Sequence, residues 1–166
     1  MASAYQLEIP KHFVLTSSGL TTATTAYTSG DQLGAQMSLQ LGAQGDSGTG
    51  YESTIVEIKD LWVTDRADVL GAVDIYLFNA SVTPAADNAA VSFSDADIEK
   101  LCSPVIQLTT NTDLGLNKTT GAAAWWERTV VLPAGVLYVC MVTKSGHSFF
   151  GATSDVKLNL IIEPEY

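Results

Sequence analysis

Short runs of alternating apolar and polar residues, each closed by a cluster of Gly, Ser, Thr, Asn or Asp, recur from one end of this chain to the other. A period of two puts successive side chains on opposite faces of an extended strand, so a chain written this way builds sheets. The runs predict strands at residues 12–16, 33–41, 54–63, 73–79, 105–110, 126–132, 136–142 and 156–163. In the second, Leu33, Ala35, Met37, Leu39 and Leu41 share one face, with Gln36, Ser38 and Gln40 on the other. In the last, Val156, Leu158, Leu160 and Ile162 point inward, while Lys157, Asn159 and Glu163 point outward. At 166 residues, 46% hydrophobic and 16% charged, the chain suits one core that needs neither disulfide nor metal. The expectation is an all-β fold, a jelly roll or related Greek-key β-sandwich of about eight strands, with one short helix near residues 95–101. Residues 29–166 form that single domain. Residues 1–28, rich in Thr, Ser and Ala from Thr16 onward, precede it as an extended segment or arm.

Turn and cap chemistry mark the breaks. Leu132, Pro133, Ala134 and Gly135 place Pro second and Gly fourth in a type I turn, which predicts a hairpin between 126–132 and 136–142. The glycine-rich stretch 42–50 reads as a surface connection. Val73, Ile75 and Leu77 share the core face of a strand opposite Asp74, Tyr76 and Phe78, and a polar loop leads on to Ser94. Ser94 opens a helix as N-cap, with Asp97 reaching back to it and Asp95 and Asp97 set against the positive helix end.

The charge is −10 and the eight Lys and Arg are scattered singly, so no basic stripe is present to displace counterions from a phosphate backbone, and nucleic acid is not an expected partner. No apolar run approaches membrane-spanning length, and the N-terminus lacks the basic and apolar regions of a signal peptide. Cys102 and Cys140 sit in apolar stretches and read as two buried thiols, with a single bridge the alternative. His12 and His147 have no companion at zinc-ligand spacing. Gly45, Asp46, Ser47 and Gly48 reproduce the surroundings of a serine-protease nucleophile but lack its histidine context, and a glycine turn explains them. Asp87, Asp95 and Asp97, with Asn88, match no calcium-loop spacing; Asp60, Asp65 and Asp68 near Arg66 read as a solvated turn after a strand. No cofactor is expected, and no catalytic residue.

Trp125 and Trp126 are adjacent, so on a strand one faces the core and the other faces out. Either a loop from 111–124 covers the outer ring or a partner does. Phe149 and Phe150 pose the same question, and these four aromatics are the candidate interface residues.

Residues 27–34 (YTSGDQLG), Asp60 closing the strand 55–59 (IVEIK), residues 74–79 (DIYLFN) and residues 87–97 (DNAAVSFSDAD) together resemble a group of tailed-bacteriophage virion proteins, often encoded beside the major capsid protein. The resemblance covers most of the chain after Gly19 and implies a jelly-roll-like capsid cement or decoration protein that clamps neighbouring capsomers on the outside of the head. It implies the major capsid protein as partner, synthesis in the host cytoplasm and no enzymatic activity. Docking on a symmetric lattice favours a cyclic homo-oligomer, a trimer ahead of a dimer. The competing readings are a tail, baseplate or fibre-attachment component on the same fold, and a carbohydrate-binding β-sandwich presenting Trp125, Trp126 or Tyr51 to a sugar. Short polar extended segments add strands to sheet edges, so residues 1–28 are expected to contribute oligomer or shell contacts.

Overall fold

The computed structural model describes residues 13–17, 20–40, 55–122, 127–146 and 155–164. They form nine strands and one helical turn: β1 (Phe13–Thr16), β2 (Met37–Gln40), β3 (Ile55–Asp65), β4 (Val73–Phe78), α1 (Asp95–Ile98), β5 (Ile106–Asp113), β6 (Lys118–Ala122), β7 (Arg128–Val131), β8 (Val136–Thr143) and β9 (Val156–Pro164). The all-β expectation holds, and every strand pairing is antiparallel.

The pairing is nested. β4 pairs β5, β3 pairs β6 and β7, β2 pairs β8 and β1 pairs β9, as if the whole chain were one long hairpin. That ribbon then folds on itself, adding β9 to β3, β8 to β4 and β6 to β5. The result is one hydrogen-bonded sheet in the order β1-β9-β3-β6-β5-β4-β8-β2, with β7 beside β6 on the same edge of β3. β7 takes Ile55–Ile58 and β6 takes Trp62–Asp65, so the two occupy successive stretches of one edge of β3.

Alternation explains the core. Val156, Leu158, Leu160 and Ile162 of β9 meet Val56, Ile58, Leu61 and Val63 of β3 inside the curl, where Val73, Ile75 and Leu77 of β4 are also fully buried. A bulge between Ile58 and Asp60 shifts the β3–β9 register by one residue, which keeps both Ile58 and Leu61 inside. β4 departs from the one-sided expectation. Its other face carries a second small core in which Phe78, Val82 and Cys140 pack with Tyr76, Phe93, Leu101 and Tyr138, and Phe93 lies 5.2 Å from both the Tyr76 and Phe78 rings.

Three local expectations change. The turn at 132–135 forms as read, with the Gly135 amide donating to Leu132 O at 2.8 Å and Gly135 at φ +64°. Its flanking strands do not pair with each other, however: β7 joins β3 and β8 lies between β4 and β2, so the turn crosses the fold. The loop expected at 111–124 contains the end of β5 and all of β6. The sequence Lys118–Ala122 (KTTGA) has no apolar alternation and is held by backbone bonds to β3 and β5 on its two sides. Asn159, expected outward among solvent, is 7% exposed, with Thr16 Oγ1 donating to its Oδ1 at 3.0 Å.

Candidate interaction surfaces

Among the described residues, the strand order leaves β1 and β2 with one unpaired edge each, and the curl of the sheet brings these edges to the two sides of one hollow of about 480 Å³. Residues 35–40 line one side, and residues 15–17 with Leu20 and Thr21 line the other. Neighbours along a strand point to opposite faces, so a hollow touching every residue of each run lies along the strand edges and not against one face. Leu15 and Met37 beside it pack on the main core, while Thr16, Ser38 and Gln40 are exposed.

The second surface is the turn of the β5–β6 hairpin, whose β6 lies against β3 up to Lys118. β4 pairs only with Ile106–Leu108 of β5, and beyond Leu108 the β5 side chains are exposed on both faces through Asp113. The tip is a tight turn: the Leu114 amide donates to Asn117 O at 2.8 Å, the Gly115 amide to Asp113 Oδ1 at 2.7 Å, and Gly115 takes φ +95°. This turn turns Leu114 and Leu116 into solvent, 61% and 84% exposed. Beside the turn Lys118 forms an ion pair with Asp68 at 3.3 Å, and Thr120 Oγ1 donates to Asn111 Oδ1 across the hairpin at 2.7 Å. The sequence signal for this hairpin was two leucines around a glycine in an otherwise polar stretch, which carries no period and passes for a loop.

The acidic residues singled out above take structural parts. Tyr27 Oη donates to Asp87 Oδ1 and the Gly34 amide donates to the same oxygen, both at 2.7 Å. Burial, and then the Asp87 carboxylate, push the Tyr27 phenol well above its ordinary range. Ser94 caps α1 as expected, its Oγ accepting from the Asp97 amide at 3.2 Å, while its hydroxyl rather than its amide donates to Asp97 Oδ2 at 2.8 Å. Ser94 first, and then Lys100 at 3.0 Å, hold the Asp97 carboxyl below its ordinary value. Asp65 is not solvated as expected. It is 1% exposed and accepts from the amides of Ala67, Val69 and Leu70 at 2.8, 2.6 and 2.7 Å, closing the turn after β3.

Among the described residues, no three His, Cys, Asp or Glu side chains are grouped so as to hold a metal, and no helix is long and apolar enough to cross a membrane. Cys102 and Cys140 are free thiols, each pushed up to about 11 by burial. On the outer face of the sheet, Lys59 at the β3 bulge pairs with Glu57 at 2.7 Å and with Glu127 and Glu163 at 3.2 Å. The candidate interface residues Trp125, Trp126, Phe149 and Phe150 lie outside the described residues, as do His12, His147, Tyr51 and the stretch 45–48.

Compared with known proteins, the chain matches no family model and no curated sequence.

Proposed function

We propose that this protein is a structural virion component, a capsid cement or decoration protein that docks on the outside of a tailed-phage head and bridges neighbouring copies of the major capsid protein. The observation that carries the reading is the turn of the β5–β6 hairpin, which holds Leu114 and Leu116 in solvent as the two adjoining members of the exposed apolar set. An apolar tip on a rigid hairpin is a means of inserting into a neighbour's surface, and side chains so exposed contribute little to the protein's own core. The motif resemblance supports the same reading. The nested pairing supports it too, being an order that a jelly roll would give if β1-β9-β3-β6 and β5-β4-β8-β2 were its two halves.

In this reading the protein catalyses nothing. It acts by adding interface that must break before the shell swells or bursts, and lattice repetition multiplies modest contacts by avidity. A trimer at local three-fold positions is the favoured oligomer. Its acidity repels free copies from one another and directs it to a basic docking surface on the shell. The test is cryo-electron microscopy of the parent particle, where density for this chain is expected over the shell exterior; density confined to the tail vertex rejects the reading in favour of a tail component. In parallel, adding purified protein to stripped heads is expected to raise the temperature of genome release.

A further inference from the structure

We infer that the second small core, on the other face of β4, binds one ordered water molecule that bridges the side-chain amides of Gln32 and Gln36 beside the Cys140 thiol. Among the described residues, Gln32 Oε1 and Gln36 Nε2 are shut off from solvent and have no hydrogen-bond partner. Gln32 as a whole is 0% exposed. A buried polar atom left unpaired is costly, and internal waters sit where such atoms gather.

The fold brings the two amides to one place. Gln32 stands opposite Val142 of β8, and Cys140, two residues back along the strand, shares that face. The Gln32 amide lies toward Gly34, to whose carbonyl its Nε2 donates at 3.2 Å. Gln36 comes from the residue before β2, and Ser81, next to Val82 of the same small core, donates to Gln36 Oε1 at 2.9 Å. Burial raises the Cys140 thiol, and the side chains of Gln36 and Gln32 act against that rise, which sets both amides beside its sulfur.

The chemistry of the two orphaned atoms selects water. One is a donor and the other an acceptor, and a water accepts from Nε2 while donating to Oε1. Turning the Gln36 amide over leaves two acceptors, which the two protons of a water serve equally well. Turning the Gln32 amide over sets its oxygen against the Gly34 carbonyl, so its orientation is fixed. The thiol is only a weak donor and a weak acceptor; it adds a contact to the water and does not replace it. Gln32 belongs to the 27–34 motif, and its backbone amide already donates to Ala89 O at 2.9 Å. The water extends that fastening to Gln36 and, through Ser81, to the loop after β4. The inference is independent of any role on a virion.

A high-resolution crystal structure tests it, in wild type and in a Gln32→Met, Gln36→Met double variant that keeps side-chain length and removes both orphaned atoms. In wild type, one water is expected within about 3.2 Å of both amides. In the double variant it is expected to be lost. Amides bonded directly to each other or to the thiol, with no water between them, overturn the inference. A water that persists in the double variant also overturns it, since other groups then hold it. Should the variant fail to fold, magnetisation transfer from water to the Gln36 side-chain amide protons in wild type reads the same contact in solution, and its absence overturns the inference as well.

Discussion

Gly34 shows how one residue decides a joint in this fold. Its φ is +69°, and a Cβ placed there would lie 2.4 Å from Leu20 Cγ, a side chain that is itself buried. Strain and overlap act together, so Gly34→Ala is expected to cost about 2–4 kcal/mol, read as a lowered urea midpoint with unchanged slope. Tyr27 reaches the same joint from the other side, its hydroxyl accepting from the Ala23 amide at 2.7 Å while donating to Asp87. Tyr27→Phe keeps the ring but strands the Ala23 amide and leaves Asp87 Oδ1 with the Gly34 amide, at an expected cost of about 1–3 kcal/mol. The two thiols titrate at higher pH than surface cysteines do. Burial raises both to about 11, so they should resist alkylation at pH 8 in the native protein and react once it is unfolded. Because the unfolded thiols ionise first, the same shift predicts stability falling between about pH 9 and 11.

At the scale of elements, the loops between strands are fastened by carboxylates. Asp65 alone satisfies three backbone amides, and Asp65→Ala is expected to cost about 3 kcal/mol and to free the turn between β3 and β4. α1 has only four residues and depends on the Ser94, Asp97 and Lys100 contacts. The folded Asp97 carboxyl lies below its ordinary value, so its contribution is present above the ordinary aspartate pKa and is lost as the pH falls through the lowered one. The melting-temperature gap between wild type and Asp97→Asn should therefore be widest near neutral pH and close below about pH 4. The β5–β6 turn behaves differently. Leu114 and Leu116 are exposed, so Leu114→Ser with Leu116→Ser should leave stability within about 0.5 kcal/mol of wild type while weakening attachment to stripped heads.

At the scale of the whole molecule, most contacts among the described residues join positions far apart in the chain. β1 near the start pairs β9 near the end, and the segment 27–34 binds both the 86–91 loop and the end of β8, as in Gln32 N to Ala89 O at 2.9 Å and Gly30 N to Thr143 O at 2.7 Å. The resemblance motif at 27–34 is thus a fastening, with Asp31 accepting from the Thr28 amide at 2.6 Å and Leu33 fully buried. A fold closed by such distant pairs unfolds as a unit, and chain ends that are paired into the sheet are costly to trim.

Several features could be read from residues alone, because they depend only on near neighbours: the alternation of β3, β4 and β9, the Ser94 cap and the turn at Gly135. Others arose only when distant strands met. β6 has no apolar pattern to announce it and exists because β3 and β5 offer edges on its two sides. β7 and β8 flank a well-formed turn yet part company, since a turn dictates where the chain reverses and the sheet dictates which edge is vacant. Asp65 looks like any surface acid until the turn folds three amides onto it. Periodicity specifies which face of a strand is apolar; only packing against strands far away in the chain chooses the neighbour, and with it the hollow between β1 and β2 and the place of the exposed β5–β6 turn.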